Sequence, residues 1–125
     1  MEMDESLNVF GEKLEECIGE PVTGFFRDNC CNTSKDDVSS HTVCIETSKD
    51  FLEYTRSQGN DLSTPVSAFN FPGLRPGDMW CVCAARWLEA EENKMAPRVH
   101  LKRTHIKALE VVPLALLKQY AADLN

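Results

Sequence analysis

Long apolar runs are missing from this chain of 125 residues, and its start has no apolar core of the kind an export signal needs. No window approaches the roughly 18 consecutive apolar residues of a membrane-spanning helix. The segment Met1–Phe10 is acidic, whereas an export signal has a basic start followed by an apolar stretch. We therefore expect a soluble, cytoplasmic protein that has no membrane partner.

Positive charge is scarce as well: 13 lysines and arginines stand against 20 aspartates and glutamates, which gives a formal net charge of −7. Such a surface repels phosphate backbones, so we expect no nucleic-acid partner. One basic stretch, Arg98–Lys107, runs against this balance. Because Val99 and Leu101 alternate there with polar residues, the stretch is typical of the solvated face of a strand. Nucleic-acid binding through it is the least favoured function.

Internal repeats, low-complexity tracts and long linkers are absent too, which favours a single domain over residues 1–125, with 1–6 frayed. A chain of this length buries about two thirds of its unfolded surface and needs neither metal nor disulfide merely to fold. The N-terminal third is irregular and rich in turns, with short strands expected at 7–10 and 23–26.

Beyond residue 40, apolar periodicity predicts strands and helices in turn. Strands are predicted over 41–46, 79–84 and 99–104. Helices are predicted from a cap at Thr47 or Ser48 to a stop at Gly59, over 85–94, and from Pro113 onward. Together these elements predict an α+β fold with a small mixed sheet and about three helices.

A long loop over 60–78 separates the first predicted helix from the second predicted strand. It contains the pairs Pro72-Gly73 and Pro76-Gly77, which are the signature of type II turns. Loops of this length in compact domains usually carry function or pack like an Ω-loop. The apolar residues Phe69 and Phe71 predict that this one packs against the domain.

The spacing Cys-x-x-Cys is missing, yet the chain has six cysteines. All but one lie in three short segments: Cys30 with Cys31, Cys44, and Cys81 with Cys83. Without export, they are expected to be thiols or metal ligands rather than a disulfide framework. We expect no cofactor. Zinc, which takes four thiolate or imidazole ligands, is the alternative, and its candidate ligands are Cys30, Cys44, Cys81 and Cys83.

Other roles are open for the same thiols. They can be small buried side chains, or they can pair as a disulfide or redox couple. In that case the adjacent Cys30 and Cys31 would sooner bond distant cysteines than each other, because a bond between neighbours is strained. A nucleophilic cysteine would need a histidine nearby, either His41 or His105. Neither histidine has an orienting partner that is visible in the sequence.

Polar residues beside these segments form a candidate ligand site: Arg27, Asp28, His41, Asn60, Asp61 and Asp78. Arg27 offers a bidentate fork for a carboxylate or a phosphate, although Asp28 or Asp61 would neutralise it. Asn60 and Asp61 follow a predicted helix, where such side chains tie up local backbone groups. These two residues predict a loop brace more strongly than a ligand contact.

Several short stretches resemble a known family: NVFG at 8–11, TGFFRD at 23–28, GNDLSTP at 59–65, FPGLRPGDMWCVCAARW at 71–87, and TH at 104–105. In this order they are similar to small bacterial and plant proteins grouped as a domain of unknown function, from about residue 8 to 120. The family's usual Asp-Gly before its cysteine pair is Asp28-Asn29 here, which still permits a turn. The resemblance implies a stand-alone soluble domain, but no activity, cofactor or catalytic residue.

These patterns favour a non-enzymatic binding or interaction domain whose partner is a small molecule or a protein. Its site is predicted between the 27–31 loop, the 60–78 loop and the 79–84 strand. The alternative is a thiol- or metal-dependent enzyme, or a redox protein, that uses Cys30, Cys44, Cys81 and Cys83.

Overall fold

Three α-helices and a three-stranded sheet make up the regular part of the computed structural model, which describes residues 2–19 and 21–124. The helices are α1 (Lys49–Ser57), α2 (Ala84–Glu92) and α3 (Leu114–Lys118). The class is α+β, as predicted. None of the helices in these two ranges is long and apolar enough to cross a membrane.

The sheet has β1 (His41–Glu46) at its centre, with β2 (Met79–Cys83) on one side and β3 (Arg98–Val99) on the other. Both pairings are antiparallel, where we expected a mixed sheet. A parallel bridge outside the named strands joins Val99 to Ala121. The predicted bounds of β1 are confirmed.

The start of α1 follows from its capping residue. The Ser48 hydroxyl accepts a hydrogen bond from the Phe51 N–H at 3.1 Å, and Asp50 lies in the first turn, where the helix dipole favours a carboxylate. Phe51 and Leu52 are buried. Gly59, with φ +90°, stands just beyond the end of the helix in a conformation that costs other residues strain.

The two faces of the β1–β2 pair bury different chemistry. Because side chains alternate along a strand, Val43, Ile45, Trp80 and Val82 belong to the main apolar core. Cys44 and Cys81 belong instead to a second, sulfur-rich cluster, which also contains Cys17, Cys31 and Met79.

The third strand is much shorter than predicted, since it ends at Val99 and a 3-10 helix follows over Leu101–Arg103. The Asp123 carboxylate accepts hydrogen bonds from the N–H groups of Leu101 and Lys102, at 2.8 and 2.9 Å. These bonds turn the chain away from the sheet. The prediction of a strand over 99–104 was therefore wrong beyond its first residue.

The N-terminal third contains isolated bridges rather than the short strands predicted at 7–10 and 23–26. Leu7 pairs with Lys13, and the segment 23–26 forms turns. The start of the chain, which we expected to be frayed, is tied down at Asp4. Its N–H donates to the Thr33 carbonyl at 2.8 Å, and its carboxylate pairs with Lys107 at 2.8 Å.

Candidate functional site

A pocket of about 230 Å³ opens where the β1–β2 pair meets the N-terminal turns and the 60–78 loop. Its walls mix aromatic, aliphatic, charged and thiol side chains: Phe25, Arg27, His41, Asn60, Leu62, Trp80, Val82 and Cys83. Three of the six predicted ligand-site residues, Arg27, His41 and Asn60, thus line one cavity. The cavity touches each of the three segments between which a site was predicted.

Arg27 is held in place at this pocket by its own backbone turn and by an aromatic ring. Its φ is +54°, and one terminal N–H of its side chain donates to the Gly24 carbonyl at 2.8 Å. The guanidinium carbon lies 5.3 Å from the centre of the Trp80 ring, which is a cation–π contact. No carboxylate within residues 2–19 and 21–124 forms an ion pair with it.

His41 has a buried aspartate as its partner, and sequence reasoning missed it. The Nδ1 atom of His41 lies 2.7 Å from the Asp37 carboxylate, whose side chain is only 1% exposed while that of His41 is 40% exposed. Asp37 also accepts hydrogen bonds from the Thr33 hydroxyl and from the His41 N–H, both at 2.9 Å. An aspartate in a turn, four residues before the first residue of a predicted strand, was the signal available in the sequence.

Cys83 lies directly across the strand pair from His41. A bulge in β1 between His41 and Val43 changes the register there, and Cys83 is both the last residue of β2 and the N-cap of α2. Strict alternation would place Cys83 with Cys81, on the face opposite Trp80. The chain leaves the strand at this residue, and Cys83 lines the pocket together with Trp80.

Four cysteines form two disulfides, which corrects the expectation of thiols or metal ligands. Cys17 bonds Cys44, and Cys31 bonds Cys81, with Cα atoms 5.8 and 5.3 Å apart. The Sγ atoms of Cys17, Cys31 and Cys81 lie within 4.8 Å of one another, so the two bonds are adjacent in the core.

The four candidate zinc ligands are therefore not brought together. Cys44 and Cys81 are consumed by the disulfides, whereas Cys30 and Cys83 are free, half-buried thiols. Cys30 and Cys31 are not bonded to each other: Cys31 pairs with the distant Cys81, as was predicted for adjacent cysteines, whereas Cys30 is free. Cys17 was missed because it stands alone in the sequence.

A family model described as "Uncharacterized protein conserved in bacteria (DUF2237)" matches residues 7–121. The chain belongs to this family. No curated protein matches the chain. The family resemblance expected over 8–120 is thus confirmed.

The remaining predicted site residues brace turns of the DUF2237 fold and do not line the pocket. Asp28 accepts from the Cys30 N–H and the Asn32 amide, both at 3.0 Å. Asp78 accepts from the Arg75 N–H at 2.8 Å. Asp61 accepts from the Thr64 hydroxyl and from backbone N–H groups, and these hydrogen bonds lower the pKa of its carboxyl.

Two other residues of the family-like stretches hold the sheet in place. The Thr23 hydroxyl accepts a hydrogen bond from the Cys81 N–H at 2.8 Å, and the Thr104 hydroxyl accepts one from the Cys44 N–H at 3.1 Å. Both hydroxyls thus satisfy backbone donors that neighbouring strands do not reach, which an apolar residue could not do. These threonines are structural parts of the site's scaffold.

Proposed function

We propose that this protein is a binding domain for a small anionic molecule, such as a hydroxy- or amino-carboxylate, held in the pocket beside Arg27. The observation that carries the proposal is the placement of the Arg27 guanidinium, which is fixed against Trp80 with most of its donors unused. A guanidinium has five N–H donors. Within the described chain, the Gly24 carbonyl takes up one of them.

The rest of the pocket supports an anion that also carries a hydrogen-bond donor. Asn60 lines the cavity; its amide N–H donates to the Thr55 hydroxyl at 3.0 Å, which leaves its side-chain oxygen free to accept a hydrogen bond. Leu62 and Val82 supply apolar wall. The cavity of about 230 Å³ is smaller than the roughly 300–1,000 Å³ of sites for drug-sized ligands, so the ligand has few heavy atoms.

Charge-assisted hydrogen bonds make this site worth more than its size suggests. A hydrogen bond to a charged group contributes roughly 1.5–3 kcal/mol. Because Arg27 is exposed in the free protein and water screens its charge, the lower end of this range applies. Asp28 and Asp61, which we expected to neutralise Arg27, are instead engaged in their own turns. Neither carboxylate therefore pairs with the guanidinium, which can pair with an anionic ligand instead.

The test is titration of the ¹⁵N-labelled protein with glycolate, L-serine and inorganic phosphate. We expect the Arg27 side-chain and Trp80 indole signals to shift with at least one carboxylate, with affinity on the order of 1 mM or tighter. Arg27→Gln should weaken binding by about tenfold or more. Arg75→Gln is the matched control, since Arg75 lies on the 60–78 loop outside this pocket. Equal affinity in Arg27→Gln and the wild type would refute the proposal.

A further inference from the structure

We propose that Cys83 is a nucleophilic thiol of this pocket, which attacks the electrophilic carbon of a small carboxylate, and that His41 is its base. The inference deepens the proposed function and depends on it, since Arg27 would hold the carboxylate of the substrate. Under this inference the pocket is a reaction site with three parts: Arg27 as the anion anchor, the Cys83 thiol and the His41 imidazole.

The geometry places the thiol and the imidazole on facing positions of one cavity. His41 and Cys83 are directly opposite each other at the end of the antiparallel pair, and both line the pocket. Opposed residues in such a pair bring their Cβ atoms to about 4.5–5.5 Å. Among the described residues, neither the Cys83 thiol nor the Nε2 atom of His41 has a hydrogen-bond partner. Both groups are thus free to meet each other over a bound molecule.

Asp37 is the positioning residue that prepares His41 for this role. Its buried carboxylate holds Nδ1 at 2.7 Å, so the neutral imidazole carries its proton on Nδ1 and exposes the lone pair of Nε2. The Phe25 ring stacks on the imidazole, with centroids 6.3 Å apart and planes 22° apart. The ring is therefore fixed in orientation from two sides. A base with an orienting partner is the arrangement that activates thiol nucleophiles.

The two free thiols differ in their surroundings, and only Cys83 lines the pocket with His41. Burial, followed by the nearby Asp28 and Glu16 carboxylates, raises the pKa of Cys30. Cys83 lies instead at the N-cap of α2, directly opposite His41 and in the wall of the pocket. No side chain caps this helix end within the described chain. Cys30 is thus an internal control for Cys83.

The chemical step balances within the pocket and its substrate. The Cys83 S–H proton passes to Nε2 of His41, and the sulfur electron pair forms an S–C bond to the substrate carbon. The bond from that carbon to its leaving group breaks, and the leaving group departs with the electron pair. The proton held on His41 then passes to the leaving group or to water. No oxidant or reductant is consumed.

The first experiment alkylates the oxidised protein without reductant, so that the four disulfide sulfurs stay protected. Iodoacetamide and iodoacetate are used in parallel, and peptide mass spectrometry follows Cys83 and Cys30 separately. We expect Cys83 to react faster than Cys30 by on the order of tenfold. We also expect the ratio of iodoacetate to iodoacetamide rates to be higher at Cys83, because Arg27 attracts the anionic reagent. Equal rates at the two thiols would overturn the assignment of Cys83.

Variants then separate the base from the anion anchor. His41→Ala should slow the alkylation of Cys83 by about tenfold without changing Cys30, and added imidazole should restore part of the rate. Absence of both the slowing and the rescue would overturn His41 as the base. In Asp37→Asn, the ¹⁵N signals of the His41 ring should show a loss of the Nδ1–H form. Unchanged ring signals would overturn Asp37 as its positioning residue.

The failure of this inference differs from the failure of the proposed function. If small carboxylates bind through Arg27 in the NMR titration while Cys83 is no faster than Cys30, the thiol chemistry is refuted and the binding pocket stands. If Arg27→Gln leaves the preference of Cys83 for iodoacetate unchanged, Arg27 is refuted as the anion-binding residue, both in the proposed function and in this inference.

Discussion

The adjacent disulfides predict a large and specific loss of stability in a variant that removes one of them. We choose Cys31→Ala combined with Cys81→Ala, because both residues are buried and neither lines the pocket. The bond closes a sequence separation of 50 residues, for which the loss of unfolded-state entropy corresponds to about 4 kcal/mol. For the Cys17–Cys44 bond, with a separation of 27, the figure is about 3.5 kcal/mol.

The two contributions should not add. Cys31 lies within the segment closed by Cys17 and Cys44, so each bond shortens the effective loop that the other must close. Removing one bond while the other remains should therefore cost less than the figure for that bond alone, and removing the remaining bond should then cost its full figure. Against a total stability of roughly 5–15 kcal/mol, the loss of one bond is a substantial fraction, and the loss of both leaves the fold marginal.

The assay is urea unfolding followed by the fluorescence of the two tryptophans, under oxidising conditions and again with excess phosphine reductant. The wild type should lose stability on reduction, whereas a variant lacking all four bonded cysteines should not respond. Cys30→Ala is the matched control, since Cys30 is free, and it should change stability by less than about 1 kcal/mol. A double variant within about 1 kcal/mol of the oxidised wild type would refute the reasoning.

Three further predictions follow from single residues. Burial lowers the pKa of His105. Between about pH 6.5 and this lowered pKa, the unfolded chain therefore binds a proton that the folded chain does not, so the free energy of unfolding should fall as the pH drops through this window. His105→Gln should flatten that part of the curve of unfolding free energy against pH. Gly24→Ala should destabilise the protein by more than about 1 kcal/mol in urea unfolding, because φ is +100° and a Cβ there would meet the Cys30 carbonyl. Gly11→Ala is the control: Gly11 is also at positive φ, but the space around its Cβ is open, so the substitution should cost less. Ser48→Ala should cost about 1 kcal/mol through the lost cap of α1, and a loss below a few tenths would contradict the capping role.

The elements that sequence reasoning predicted well are those whose causes are local. Alternation fixed the bounds of β1, and a serine followed by an acidic first turn located the start of α1. The third strand was overestimated because the residue that ends it, Asp123, lies more than twenty positions further along the chain. A short-range pattern carries no information about such a partner.

For the candidate site, too, the features with local causes could be predicted from the sequence and those that depend on distant residues could not. A cavity does lie between the three segments named from the sequence, and Arg27, His41 and Asn60 line it; that it is a functional site stays a prediction. The Asp37 partner of His41 was local and could have been found. The disulfide pairing could not, because the bonded cysteines are 27 and 50 positions apart and six cysteines allow many pairings.

The disulfides and the pocket are linked through one strand and one loop. Cys81 lies between Trp80 and Val82, two walls of the pocket, and its bond to Cys31 ties β2 to the turn that follows Arg27. The Thr23 hydroxyl ties the start of the same turn to the Cys81 N–H. Two independent bonds therefore converge on one residue of β2, and between them they hold the 23–31 segment against the strand. The cation–π contact of Arg27 with Trp80 spans the same junction, so its geometry depends on both. The sulfur cluster on one face of the sheet thus sets the position of Arg27 on the other.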